Sequence, residues 1–208
     1  MGAKKRIRVR RKRPDTPRSA LCNAVFLVGF MGAGKSSVGL ALGQQLNWIF
    51  EDLDNRIERR EGRSVAEIFR DSGEPEFRRA EHSALQHLLA ELRGGNARIV
   101  ALGGGAFVQK RNAALLKASG VPTVFLDAPV DELWRRCSKQ ASEAGAERPL
   151  LRSREQFGKL YRVRSRSYAK ASMRIPTGDR TVDAIAAEIA KTLHLRKIAV
   201  RTEQGEVE

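Results

Sequence analysis

The run Gly29-Phe30-Met31-Gly32-Ala33-Gly34-Lys35-Ser36 satisfies the pattern G-x-x-x-x-G-K-[ST] at every constrained position. Glycines there let successive backbone N–H groups turn inward around a β-phosphate, where a Cβ would stand in the way. A lysine directly after them can bridge the β- and γ-phosphates, and a following hydroxyl can ligate Mg²⁺. The pattern promises a bound nucleotide but not a particular reaction, and a glycine-rich turn that binds nothing is the bland alternative. Further along, Asp52 and Asp54 stand two residues apart behind a short apolar run. On an extended segment they point in different directions, so one can face a metal and the other an acceptor hydroxyl. Capping of a helix by Asp54 is the competing reading.

The elements around these residues give them a context. Residues 24–28 form a short apolar run that reads as a buried strand leading into the glycines, and residues 38–46 have helical spacing. Residues 48–50 read as a second strand ending in the acidic cluster. Helices are predicted over 55–60, 64–71 and 75–92, with Ser64 and Glu67 spaced as a capping box. A strand over 98–102 runs into Gly103-Gly104-Gly105. Then follow a helix at 110–118, a strand at 122–126 and a helix at 130–137. Residues 138–149 break the pattern and read as a mobile flap. A helix over 152–171, a short strand at 173–175 and a helix over 182–194 complete the chain. Strands separated by helices imply one α/β domain, a five-stranded parallel sheet flanked by helices on both faces. A strand before the phosphate loop and a helix after it is the context that a functional loop needs. The helix N-terminus then faces the anion as well.

The motifs occur in an order that resembles the shikimate kinases: the phosphate loop, Asp52-x-Asp54, Glu76-Phe77-Arg78-Arg79-x-Glu81, Gly103-Gly104-Gly105, Arg148-Pro149-Leu150 and Arg164-x-x-x-Tyr168. The resemblance covers about residues 22–194. After the phosphate loop each motif is weak alone, and their joint order and spacing carry the identification. The resemblance implies a three-layer P-loop NTPase fold with a mobile lid at about 138–152. It also implies ATP-dependent phosphorylation of the 3-hydroxyl of shikimate, in chorismate and aromatic amino-acid biosynthesis.

The resemblance further implies roles. Gly32, Ala33, Gly34, Lys35, Ser36 and Ser37 would hold the nucleotide, Arg136 would pack on adenine, and Arg148 would close over the transferring phosphate. Ser36 and Asp52 would hold Mg²⁺. Asp54 would bind acceptor hydroxyls and take the proton, while Arg78 and Arg164 grip the carboxylate beside Gly103, Gly104 and Gly105. Lys35, Asp54 and Arg148 form the expected catalytic set. Shikimate is a small anion bearing hydroxyls, which suits planar arginine forks and a carboxylate. Arg79 reads as a surface partner of Glu76, and Glu81 as a brace for an arginine. Trp48 and Trp134 read as packing residues, and His82, His87 and His194 show no ligand or triad spacing. Two features depart from the family pattern: the Ala-, Ser- and Glu-rich stretch 138–147, and Arg166 ahead of Tyr168.

Composition narrows the setting. A chain of 208 residues with 41% hydrophobic content suits one soluble domain, and no apolar run approaches the roughly 18 residues that cross a bilayer. Cys22 and Cys137 have neither metal-type nor disulfide-framework spacing, so a reducing cytoplasm is expected. The net charge of +15 sits in two blocks. Residues 1–18 carry a net +8 and residues 148–170 a net +7, and the remainder sums to zero. The first block, with Pro14 and Pro17, reads as a disordered arm covering 1–21. A solvated tail is its leading reading, with weak nucleic-acid or membrane contact and organelle targeting behind it. In the second block Arg148 and Arg164 would face anionic ligands, whereas Arg152, Arg154, Arg162 and Arg166 read as a solvated helix face. Residues 195–208 read as a tail without signal. The expected protein is a cytoplasmic monomer with no membrane partner. A gluconate-type kinase, or a binding module that engages nucleic acid through the basic arm, are the rival readings.

Overall fold

The computed structural model describes residues 23–144 and 153–198. In chain order the elements are β1 (Ala24–Val28), α1 (Lys35–Leu46), β2 (Ile49–Asp52), α2 (Leu53–Glu61), α3 (Val65–Leu92), β3 (Arg98–Ala101), α4 (Lys110–Ser119), β4 (Thr123–Asp127), α5 (Val130–Ala144), α6 (Arg154–Tyr168), β5 (Met173–Pro176) and α7 (Val182–Thr192). The five strands are all parallel, in the order β2-β3-β1-β4-β5. Every residue of β1 is buried, as an apolar run in the middle of a sheet covered on both faces requires. At the edge, Ile49 of β2 is exposed. Helix α1 packs on α7 and over β1–β3, while α3 packs on α2 and α4. The expected five-stranded parallel α/β architecture is the one observed.

The strand order places the chain's reversal at β1. From there it crosses to β2 and β3 on one side and to β4 and β5 on the other. The crevice outside the carboxyl ends of β1 and its neighbours is where sheets of this type bind ligands. Gly29, Leu53 and Leu102 are the first residues after β1, β2 and β3, so the phosphate loop, the Asp pair and the three glycines share one edge.

Local chemistry sets several boundaries. Ser64 caps α3 as its spacing predicts: its Oγ accepts from Glu67 N–H at 3.2 Å and Glu67 Oε2 accepts from Ser64 N–H at 2.7 Å. Gly73, at φ 76° and ψ 173°, interrupts α3 just before Pro75, so the two predicted helices meet at a kink. Helix α5 is a correction. The apolar spacing ends at Cys137, but Lys, Gln, Ala and Glu are strong helix formers and carry the helix on to Ala144. The first part of the expected flap is therefore helical, and residues 145–152, Arg148 included, lie outside the described residues. The basic arm of residues 1–21 also lies outside them.

The predicted boundary at residue 194 falls within a packed segment. Ile198 N–H donates to Leu46 O at 2.9 Å, Asn47 Nδ2 to Ile198 O at 3.2 Å, and the Trp48 indole N–H to Arg196 O at 3.1 Å. Residues 195–198 thus cover the α1–β2 turn, and Trp48 packs as expected while also anchoring this segment. Trp134 packs edge-on against Phe157, with ring centroids 5.2 Å apart.

Candidate active site

The loop between β1 and α1 is built by glycines that nothing else can replace. Gly32 has φ 77°, and a Cβ there would lie 2.8 Å from Cys137 Sγ and 2.9 Å from Leu133 O. Gly29, at φ 151°, would set a Cβ 2.7 Å from Leu126 O. Phe30 turns inward from the loop and is fully buried, edge-on to Phe157 and Tyr161 of α6 at 5.0 and 5.6 Å. The loop is therefore pinned to α6 through Phe30.

Lys35 opens α1, and its Nζ donates to Gly29 O at 3.1 Å and to Phe30 O at 3.2 Å. The packed surroundings lower the pKa of this ammonium from the ordinary lysine value, while Asp54 and Asp52 pull the other way. Ser36 Oγ donates to Asp52 Oδ2 at 3.2 Å. The other Asp52 oxygen, Oδ1, accepts from Asp54 N–H at 3.0 Å, so the cap of α2 is Asp52. This displaces the capping reading of Asp54. The two acids diverge because a strand ends and a helix begins between them, not because the segment is extended. Ser37 is exposed in the first turn of α1.

Asp54 is the group left over. Its Oδ1 is buried and has no hydrogen-bond partner among the described residues. Burial first, and then the neighbouring Asp52, push its pKa up to about 6, against the pull of Lys35. The third loop closes on it: a Cβ at Gly103 would lie 2.5 Å from that same Oδ1.

Two arginines meet the next two glycines of the same run. A Cβ at Gly105 would stand 2.6 Å from both Nη atoms of Arg78, and one at Gly104 would stand 3.5 Å from Arg164 Nη1. Tyr168, one turn along α6 from Arg164, donates its hydroxyl hydrogen to Gly104 O. Its phenol is pushed up to about 12 by burial, so it stays a donor. The Arg164 guanidinium lies 5.9 Å from the centre of the Phe30 ring. Arg78 gives Nε and Nη2 to Glu74 Oε1 at 3.1 and 3.0 Å, and Nη1 to the buried Glu81 at 3.0 Å. Two of its five N–H groups, one on each Nη, are not used in these contacts. A carboxylate oxygen without a partner among the described residues, two arginines and a phosphate-type loop thus converge on one glycine corner. That set can hold an anion bearing hydroxyls beside a nucleotide.

A model of the family described as shikimate kinase matches residues 31–194. The chain belongs to the shikimate kinase family. The shikimate kinase of Cereibacter sphaeroides is 37% identical over 207 residues, spanning 98% of this chain and 99% of that protein. That of Geobacter sulfurreducens is 40% identical over 169 residues, spanning 80% of this chain and 88% of that protein. Among solved structures, the shikimate kinase from Acinetobacter baumannii in complex with shikimate matches with a TM-score of 0.72 at 31% identity. The match covers 83% of this chain and 93% of that one.

Within this shikimate kinase fold the predicted residues fall in two groups. Lys35, Ser36, Asp52, Asp54, Arg78, Arg164 and the three glycines come together around the segments that follow β1, β2 and β3. Arg136 stands apart on α5, where Nη2 donates to Thr177 O at 3.0 Å, Nη1 to Gly32 O at 3.5 Å and Nε to Glu132 at 2.8 Å. It joins the phosphate loop to the loop after β5. Glu132 is held down to about 2 chiefly by its Arg135 hydrogen bond, with Arg136 adding to this. Arg79 is exposed and paired with Glu76, as a surface residue should be. Arg154, Arg162 and Arg166 are exposed on α6, whereas Arg164 is half-buried. Phe30 was not anticipated, because it occupies an unconstrained position of the loop pattern. Its only sequence signal is a large aromatic side chain among glycines.

Proposed function

We propose that this chain transfers the γ-phosphoryl group of ATP to the 3-hydroxyl of shikimate, giving shikimate 3-phosphate and ADP. The observation that carries this reading is the convergence of Asp54, Arg78 and Arg164 on Gly103-Gly104-Gly105 beside Lys35. The backbone of residues 29–34 and the start of α1 cradle the phosphates, and Lys35 places its charge where negative charge moves during transfer. Arg78 and Arg164 hold the shikimate carboxylate, which orients the ring over the glycines. The acceptor hydroxyl oxygen forms the new bond to the γ-phosphorus as the bond to the β–γ bridging oxygen breaks. The hydroxyl proton passes to Oδ1 of Asp54, a carboxyl that is ionised above about pH 6 and whose Oδ1 has no hydrogen-bond partner among the described residues.

The Ser36 hydroxyl and the Asp52 carboxylate, 3.2 Å apart, are hard oxygen donors of the kind Mg²⁺ takes. They would hold the ion, Asp52 through water. When bound, Mg²⁺ neutralises charge on the β- and γ-phosphate oxygens. Arg136, beside Gly32 O, packs on the adenine, and Arg148, outside the described residues, closes over the transferring phosphate. Residues 22–194 form the catalytic domain, with 195–198 packed onto it. All the assigned residues come from one chain, so the reading needs no second copy. Among the described residues no helix is long and apolar enough to cross a membrane, and we place the enzyme in the cytoplasm.

ADP release measured with shikimate, gluconate and other polyols in parallel tests the reading. Shikimate should be preferred by at least about 10²-fold in kcat/KM, because a site with half-buried arginines and a carboxylate penalises acceptors that leave them unpaired. Equal rates with gluconate would overturn it. Arg78→Ala and Arg164→Ala should each raise the shikimate KM about 10- to 100-fold, the worth of a charge-assisted fork, with the ATP KM changed less than about threefold. If both constants rise together, these arginines are not carboxylate clamps.

Gly105→Ala should reproduce the same selective loss. The new methyl would push aside the Arg78 guanidinium, the far end of a flexible side chain, while Gly105 itself, at φ −102°, has a backbone that alanine adopts without strain. Melting should therefore shift little. A large fall in Tm with unchanged shikimate KM would contradict this account.

A further inference from the structure

Behind Arg78 runs a line of buried polar groups that the proposed transfer does not itself use. Glu81 lies one turn along α3 from Arg78 and is 0% exposed, and its Oε1 accepts from Arg78 Nη1 at 3.0 Å. Its second oxygen, Oε2, faces Asn112 Nδ2 at 3.3 Å. Asn112 sits in the first turn of α4 and is also fully buried. Its Oδ1 stands 2.7 Å from Nδ1 of His82. The next residue back, Arg111, donates to the backbone oxygen of Arg78. The start of α4 therefore reaches Arg78 twice, once at its backbone and once through Glu81.

Donor and acceptor chemistry allows only one direction along this line. An ionised carboxylate accepts but cannot donate, so the Asn112 amide must turn Nδ2 toward Glu81. Its oxygen then faces His82, and His82 Nδ1 must carry the hydrogen. Glu81 needs this support. Burial pushes its pKa up while Arg78 holds it down, and a buried carboxylate oxygen without a donor is costly. If Asn112 is removed, Glu81 can answer by rotating away or by taking a proton, and either change releases the Arg78 fork.

We infer that Asn112 is a positioning residue for acceptor recognition: it holds Glu81, and through it Arg78, in the orientation that leaves two guanidinium N–H groups for the substrate carboxylate. This rests on Arg78 being the carboxylate clamp. His82 is the outer end of the same device, setting the Asn112 amide the right way round. Neither residue touches substrate.

The test is a mutant cycle read as shikimate KM, ATP KM, kcat and Tm for Asn112→Ala, His82→Ala, Arg78→Ala and the Asn112→Ala/Arg78→Ala double variant. Asn112→Ala should raise the shikimate KM about tenfold with the ATP KM within about twofold, and His82→Ala should move it the same way by about threefold. In the Arg78→Ala background the Asn112 change should add nothing, because its route to the substrate is gone. A merely structural Asn112 would lower Tm and multiply the Arg78 effect, and that result overturns the inference, as does an unchanged shikimate KM. If Asn112→Ala does not fold, the cycle of His82→Ala with Arg78→Ala decides by the same criteria. Should Arg78→Ala itself leave the shikimate KM unchanged, the clamp reading fails and takes this inference with it. A selective Arg78 effect without an Asn112 effect overturns the inference alone.

Discussion

Lys35→Ala is expected to lower kcat by about 10³-fold or more while the chain still folds, the scale of losing a preorganised charge at a transferring phosphoryl group. Lys35 contributes two hydrogen bonds to the loop, at 3.1 and 3.2 Å to Gly29 O and Phe30 O. The loop's shape does not depend on them. It is set by Gly29 and Gly32, whose positions admit no Cβ, and by Phe30 locked against Phe157 and Tyr161. Melting temperature should therefore change by only a few degrees. Loss of the ammonium also removes an attraction that holds the Asp54 carboxyl down, so the alanine variant should need a higher pH to ionise it. Single-turnover phosphoryl transfer, read beside circular dichroism of the same sample, checks both statements. Near-normal turnover would remove the loop from the chemistry.

Asp54→Asn should cost about 10²- to 10⁴-fold in kcat with the ATP KM unchanged, the range of losing a positioned proton acceptor. The asparagine fits the same space, so binding of the nucleotide has no reason to change. In the wild-type enzyme kcat/KM for shikimate should rise as pH increases through about 6, where Asp54 ionises, and this limb should be absent from the residual activity of the variant. Retained kcat would end the proposed role of Asp54 at the hydroxyl.

The same substitution should stabilise the fold. The Asp54 carboxyl has a folded pKa of about 6, above its ordinary 3.8, so the folded chain binds this proton more tightly than the unfolded chain. Its contribution to stability is full below pH 3.8 and is lost as the pH rises through about 6. At pH 8 the ionised carboxylate therefore costs on the order of 2–3 kcal/mol, which asparagine avoids. Asp54→Asn should melt higher than wild type at pH 8, with the gap closing toward pH 4. A variant that is less stable at pH 8 would contradict the burial account. This is the usual exchange at a reactive site, where a group poised for chemistry is held at the expense of stability.

Particular residues show how far a linear reading reaches. The phosphate loop, the Ser64–Glu67 box and the β1 strand were legible because each depends on neighbours within a few positions. The helical spacing of residues 130–137 was legible as well. The continuation of α5 to Ala144 was not, because apolar spacing stops at Cys137 while helix propensity does not. Residues 195–198 read as tail because their partners, Leu46, Asn47 and Trp48, lie about 150 positions away.

The sequence by itself determined the alternation of strands and helices, the phosphate loop and the set of residue types at the crevice. Turn chemistry and hydrophobic spacing are local properties, and a motif order can be read along a line. Only the tertiary structure decided which of two acids is the cap and which is left, among the described residues, unpartnered in a buried place. Asp52 is drawn off by Ser36 and by the N–H of Asp54, so that among the described residues it is Asp54 whose oxygen stays open against Gly103. It likewise joined Asn112 and His82 to Glu81, 31 positions from Asn112, and so to Arg78. Burial, and hence a carboxylate's pKa and its need for a donor, is set by what packs around a group from distant parts of the chain, and spacing along the chain does not carry that information.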